Sequence, residues 1–432
     1  MEDKQGINFR RLRLTGWRQF DNIDVELHSR LTIITGANGA GKSSIIKLFS
    51  SHFGHNPPFL SVPFLDKSGQ YRYSFGTFIS LVKRFSPFQR NQANQIGDLT
   101  YSNGSTSGIT LPSGTGVSYN VSLTSQEKVS GIHIDSHQPV PRYQTVGQIP
   151  SSMLTPQHAY KQYNQEHQYH YTGGHSGYSP VYRMKEALIA MAMFGESNSR
   201  SPGNPRLKEA LDGFVEVLRK MLPPSLGFMD ISIRSPEVVI QTRSGEFLLD
   251  AASGGVMTLI DFAWRLHLFS LENNSFVVTF DEPENHLHPS MQRSLMGRLL
   301  DAFPQAQFIV ATHSPFIVSS VKDSFVYVLR YEGADYREIQ DVIPETTKSR
   351  IVSERLDTIN KGGSANAILR DVLGVEATVP EWVVSDIRHI VEKFRRTEIT
   401  KESLMALRKE LGHLGFEDQY PAALAELTRQ ND

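Results

Sequence analysis

Leu31–Ile46 reads LTIITGANGAGKSSII, and this stretch decides the fold. The β-branched run from Leu31 to Thr35 predicts a buried strand that stops at Gly36. Gly36-Ala37-Asn38-Gly39-Ala40-Gly41-Lys42-Ser43 then fits G-x-x-x-x-G-K-[ST] at every fixed position, and Ser44, Ile45 and Ile46 open a helix. Glycines let successive backbone N–H groups wrap a phosphate, and the helix N-terminus adds partial positive charge. In this pattern Lys42 reaches the β- and γ-phosphates, and the Ser43 hydroxyl is placed to ligate Mg²⁺. Residues Asn38 to Ser44 are therefore the expected cradle of a nucleoside triphosphate, with ATP and Mg²⁺ as the expected ligands.

Working outward, two amphipathic strands precede the loop, Ile7–Leu14 and Phe20–Leu27, joined by Trp17-Arg18-Gln19-Phe20. Two readings of this turn stand side by side. Arg18 or Phe20 stacks on the adenine, or Trp17 and Phe20 simply cover a sheet edge. From about 51 to 180 the chain becomes poor in Leu and Ile and rich in Gly, Ser, Asn, Gln, Tyr and His. Short strands at Asp98–Tyr101, Gly108–Leu111, Val117–Leu123 and Val129–Asp135 predict an antiparallel β subdomain. Residues 151–180 read as a loop; His158, His167, His170 and His175 are irregularly spaced and favour a partner-facing insertion over a metal site.

Helical patterning runs from Val181 through Leu222, where Pro223-Pro224 closes it. A second site signal follows. Ser275–Phe280 (SFVVTF) is a continuous apolar strand delivering Asp281-Glu282 at its carboxyl end, the expected partner of a phosphate loop. Asp281 would hold Mg²⁺, and Glu282 would deprotonate the attacking water. One strand later, Gln307–Ala311 leads into Thr312-His313-Ser314-Pro315. His313 there is placed to touch the γ-phosphate or the water.

GANGAGKSS, the Ser253-Gly254-Gly255 turn, FDEPENHLHP and ATHSP, in that order, resemble ABC-class ATPases, and within them the branch of RecF, SMC and OLD-type proteins. The resemblance implies an α/β ATPase head: a mixed or parallel core sheet, the antiparallel β subdomain, a helical lobe and a C-terminal helical extension. It implies that Ser253, Gly254 and Gly255 form a signature turn meeting the γ-phosphate held by a second subunit, hence a homodimer or larger homo-oligomer closed around ATP. It further implies a linker loop at Pro283–Pro289, a switch role for His313, and Gln138 as a metal- and water-sensing residue. His286 and His288 suit that linker better than a metal. The signature lacks the flanking Leu and Gln of transporter ATPases, and ENHLHP is typical of the OLD-like branch.

Heptads for coiled-coil arms are missing from 51–180, and no Asp-x-Asp of a Toprim nuclease follows Pro315. Stand-alone ATPases resembling this one occur in bacterial anti-phage modules of Septu, PARIS and retron type, where a separately encoded nuclease or toxin acts. The expected division is 1–180 (phosphate loop and insertion), 181–270 (helical lobe), 271–343 (Asp281, linker and His313) and 344–432 (helical, for oligomerisation or docking). One alternative is a RecF-like DNA-binding ATPase using Arg84, Arg90, Arg200 and Arg206; another is a nucleotide-gated scaffold with very slow hydrolysis.

The net charge of −1 gives no general pull toward nucleic acid. The absence of cysteine excludes disulfides and thiolate chemistry and suits a reducing cytosol. No run nears the roughly 20 apolar residues of a membrane helix, and MEDKQGINFR lacks the apolar core of a signal peptide. A cytoplasmic protein with no membrane partner is the expectation.

Overall fold

A computed structural model describes residues 6–66, 68–75, 94–114, 116–136, 143–148, 154–171, 173–174, 176–197, 199, 202–332, 350–357, 361–373, 381–395 and 400–428. Gln138, His175, Arg84, Arg90 and Arg200 lie outside the described residues. The chain divides into two compact units, Met1–Ile368 and Leu369–Asp432.

The first unit is organised on one mixed sheet. Its strands are β1 (Phe9–Trp17), β2 (Phe20–Glu26), β3 (Leu31–Gly36), β4 (Gln95–Tyr101), β5 (Thr106–Thr110), β6 (Ser122–Leu123) and β7 (Gly131–Ile134). A separate three-stranded sheet holds β8 (Phe228–Arg234), β9 (Glu237–Thr242) and β10 (Gly245–Leu248). The main sheet resumes with β11 (Phe276–Asp281), β12 (Ala306–Ala311), β13 (Phe325–Glu332) and β14 (Arg350–Arg355), in the order β6-β5-β4-β1-β2-β14-β13-β3-β12-β11-β7. The strands β13, β3, β12, β11 and β7 run parallel, and β3, buried at every residue, lies between β13 and β12. Parallel strands buried on both faces read as near-continuous apolar runs, which is why this part is readable from short aliphatic runs.

The helices of this unit are α1 (Lys42–Ser50), α2 (Pro156–Tyr171), α3 (Pro180–Gly195), α4 (Pro205–Met221), α5 (Gly254–Ser270), α6 (Pro289–Ala302) and α7 (Pro315–Val318). Caps fix several starts: Ser179 Oγ accepts from Tyr182 N at 3.1 Å, and Asn204 Oδ1 accepts from Arg206 N at 3.1 Å, each with proline at the first helical turn. Helix α5 is buried from Val256 to Leu268 and packs Phe262 and Phe269 edge-on against Phe280 and Phe276 of β11, at 5.0 and 5.3 Å between ring centroids.

Three expectations are corrected. The predicted antiparallel strands do not stand apart: β4 pairs with β1 and carries β5 and β6, so these extend the core sheet, while Ser118–Tyr119 pairs with Phe59–Leu60 and β7, expected among them, instead pairs in parallel with β11. Residues 156–171 are helical, not a loop. The region after 344 is not all helical: β14 inserts between β2 and β13, so the first unit runs on to Ile368.

The second unit is helical, with α8 (Glu381–Arg395), α9 (Lys401–His413) and α10 (Tyr420–Thr428). Val383, Ile387, Ile390 and Val391 pack with Leu407, Leu411, Ala423 and Leu427, as the spacing of Ile387, Ile390 and Val391 predicts. The spacing of Leu404, Leu407, Leu411 and Leu414 predicts a second apolar face; Leu407 and Leu411 are buried on it, and Leu414 is exposed.

Candidate functional site

Parallel strands deliver their following turns to one edge, the carboxyl edge. Here Asp281 is in register with Ala311, and Ala311 with Ile34. Gly36, Asp281-Glu282 and Thr312-His313 therefore arrive side by side.

The phosphate loop needs glycine at two positions. Gly36 has φ 140°, and a Cβ there would lie 2.5 Å from Leu329 O; Gly41 has φ 86°, and a Cβ would lie 2.4 Å from the Phe20 ring. Gly41 also caps α1 in the left-handed conformation. Asn38, Gly39 and Ser43 are exposed, Ser44 is half-buried, and Ala40 is buried beneath the loop. Gln19 Nε2 donates to Gly39 O and ties the β1–β2 turn to the loop.

Lys42 folds back into this cradle. Its Nζ donates to Gly36 O and Ala37 O, both at 3.2 Å, and lies 2.5 Å from His313 Nε2. Burial lowers its pKa to about 8 against the opposing pull of Glu282, Asp281 and Glu284. His313 Nε2 is also 3.2 Å from Glu282 Oε1. Burial, helped by the Lys42 charge, lowers the imidazole to about 4, so it is neutral at pH 7. A lone pair on Nε2 suits the ammonium and a proton there suits the carboxylate, so the two neighbours compete for one nitrogen. Glu282 itself is held at φ 51°, its N–H donating to Ala311 O at 2.9 Å.

Glu284 was not singled out by the sequence, although it stands in the same DEPE run. It is buried, and its Oε1 accepts from the Thr312 hydroxyl, from His313 N at 3.0 Å and from Ser314 N at 3.1 Å. It thus holds the turn that presents His313, and burial raises its pKa. His288 caps α6, its Nδ1 accepting from Ser290 N.

A cleft of about 330 Å³ is lined by Arg18, Gln19, Phe20, Gly39, Gly41, Lys42, Ser43, Ser44, Glu282 and His313. Arg18 and Phe20 thus reach the same cleft as the loop, but Phe20 is 1% exposed and packs on Trp17, with ring centroids 5.9 Å apart. Its ring backs Gly41 and is too buried to stack on a base; Arg18 keeps the more accessible position. Among the described residues, this lining does not include Ser253, Gly254 or Gly255. Ser253 and Gly254 are exposed at the start of α5, and the Ser253 side chain makes no cap hydrogen bond. A Cβ on Gly255 would lie 3.1 Å from His286 O, so the turn rests on the linker loop.

Two family models match these two halves of the site. An AAA domain model covers residues 11–162, including the phosphate loop, and an AAA domain model named for Type IV TA systems covers residues 241–319, including Asp281, Glu282 and His313. Both halves of the site thus lie in stretches that match AAA domain models. Among curated relatives, the Retron Vc95 probable ATPase of Vibrio cholerae is 34% identical over 110 residues, 23% of this chain and 21% of that protein. The Septu protein PtuA of Bacillus mycoides is 35% identical over 79 residues, 18% of this chain and 10% of that protein. The matched stretches therefore span about a fifth or less of either relative. The SMC head domain from Thermotoga maritima aligns at a TM-score of 0.39 and 12% identity over 81% of this chain and 99% of that one. No described helix is long and apolar enough to cross a membrane.

Proposed function

We propose that this ATPase hydrolyses ATP in a site completed by a second copy of itself, and that the closed assembly controls a separately encoded effector, a nuclease or toxin, in anti-phage defence. The observation that carries the catalytic part is the convergence of Lys42, Glu282 and His313 in one cleft with the phosphate loop. Polyphosphate oxygens replace the loop carbonyls that now hold the Lys42 ammonium. Glu282 accepts the proton of the attacking water, and neutral His313 orients the γ-phosphate or that water. Asp281 Oδ1 is buried without a hydrogen-bond partner among the described residues. With the exposed Ser43 hydroxyl it fits a hard cation such as Mg²⁺, which when bound neutralises phosphate charge.

Dimerisation draws support from the exposed Ser253-Gly254 turn, an anion-binding helix start outside the cleft. Gln138 keeps its sensing role as part of this proposal. The link to defence and to an effector rests on the retron and Septu names of the relatives. Within the proposal, residues 1–180, 181–270 and 271–343 act as parts of one head, and the C-terminal helices serve assembly or docking.

A DNA-binding repair ATPase has weaker support. The arginine-lined cleft on the sheet places Arg11, Arg13 and Arg355 with Asp24, Asp98 and Glu26 at 2.6, 2.9 and 3.7 Å, so those cations are already paired.

Glu282→Gln tests the reading. Phosphate release should fall at least about 100-fold while ATP still binds, and an ATP-bound oligomer should accumulate on size exclusion. Unchanged turnover would remove Glu282 from its role.

A further inference from the structure

A second cluster of chemistry lies at the β7 edge of the sheet. His133 on β7 is in register with Thr279 of β11, and its Nδ1 lies 2.9 Å from Thr279 Oγ1. That leaves Nε2 facing Asp135, whose Oδ1 is 3.1 Å away. His55 reaches the same oxygen from the other side, with Nε2 at 3.5 Å, and its ring centroid is 4.2 Å from that of His133. His55 is not loosely placed: its N–H donates to Ser50 O at 3.2 Å, and its carbonyl accepts from Ser50 Oγ at 3.1 Å. Three ligand atoms, all within 4.8 Å of one another, thus converge from two separate elements.

We propose that His55, His133 and Asp135 bind one transition-metal dication, Zn²⁺ by preference, distinct from the phosphate site. The spacing fits an ion. Bonds of about 2.0–2.1 Å to each donor set tetrahedral donor–donor distances near 3.3 Å, and the two observed distances to Asp135 bracket that value. The donor set is two imidazoles and one carboxylate, which suits zinc and not the oxygen-seeking Mg²⁺. The outer contact is also in place, because a ligand imidazole bonds a fixed partner through its other nitrogen, as His133 does to Thr279. Arg265 donates to His133 O at 2.9 Å and is paired with Asp261 at 3.8 Å. Three protein ligands leave one position for water. The ion would join the segment after α1 to the strand that runs beside Asp281.

The test uses the full chain, stripped with chelator, reloaded with ZnCl₂ or CoCl₂ and dialysed against excess Mg²⁺. One equivalent of zinc should remain by elemental analysis, and the Co²⁺ form should show visible d–d absorption. His133→Ala and Asp135→Asn should each weaken Zn²⁺ binding at least about 100-fold. Thr279→Val, which removes only the outer contact, should weaken it about tenfold. Binding of a fluorescent ATP analogue reports that each variant is folded; His55→Ala, at a half-buried position, serves if His133→Ala does not fold. Equal zinc retention by wild type and His55→Ala, or no retention by wild type, would overturn the site. Neither result touches the ATPase reading, which Glu282→Gln tests separately.

Discussion

The Lys42 ammonium is held in the cleft at a cost, since burial lowers its pKa to about 8. A polyphosphate favours the charged form, so the bound pKa rises above the free one. Affinity for ATP is then full below about pH 8 and falls as pH rises through it, by about tenfold between pH 7 and 9. Nucleotide titration at the two pH values checks this, and Lys42→Ala should abolish binding at both. A flat pH profile would show that Lys42 does not meet the phosphates. Glu284 invites a different experiment at the same scale. Its Oε1 accepts three hydrogen bonds while Oε2 is buried without a hydrogen-bond partner among the described residues. Glu284→Gln keeps the acceptor and should cost about 1 kcal/mol, whereas Glu284→Ala strands the Thr312 hydroxyl and the His313 amide, Ser314 N keeping Thr312 Oγ1, and should cost about 3 kcal/mol. Urea denaturation of the two variants separates these outcomes; equal losses would mean the turn does not depend on that oxygen.

Among the elements, α5 matters most to the proposed dimer, which needs its first turn presented rigidly to a neighbouring molecule. The segment before it is anchored from inside. Lys185 of α3, 0% exposed, donates to Asp250 Oδ2 at 2.7 Å, to Glu237 Oε2 at 2.8 Å and to Gln144 O at 2.6 Å. Removing one member of a buried ion pair leaves the other charge uncompensated, so Lys185→Met should destabilise by about 3–5 kcal/mol. The double variant Lys185→Met/Asp250→Asn should recover part of that in thermal denaturation. No recovery would mean that Lys185 acts through packing alone. Elements of this kind also show what could be read from the chain. Leu31–Gly36, Phe276–Asp281 and Ala306–Ala311 are legible because they are short apolar runs that end in polar turns, and their register then brings Lys42, Glu282 and His313 together. Helix α2 was illegible because its buried positions are Ala159, Tyr163, Glu166 and His167, polar and aromatic types that hide a helical period. Strand β14 (RIVSER) is half-exposed and charged, so no buried run marks it. Gln19, Glu284 and Lys185 escaped notice for another reason: their partners lie far away in sequence, and only the folded sheet brings them into contact.

For the molecule as a whole, the phosphate cleft and the Ser253 turn occupy different places in one unit, and the cleft lining among the described residues does not contain the turn. A two-fold head-to-tail pairing would set each turn against the other copy's loop and close without leaving an open edge. This arrangement makes a prediction that no monomeric mechanism shares. Lys42→Ala disables a loop and leaves its turn intact; Ser253→Arg blocks a turn and leaves its loop intact. Each variant alone should be inactive. Mixed in equal amounts with ATP, half of the dimers are hybrids, and each hybrid holds one complete site, formed by the loop of the Ser253→Arg copy and the turn of the Lys42→Ala copy. Phosphate release should therefore return to roughly a quarter of the wild-type rate per chain. A mixture no faster than the sum of its parents would show that the turn at Ser253 does not complete a neighbour's site. Recovery in the mixture is specific to sharing across the interface, because neither chain carries both working halves.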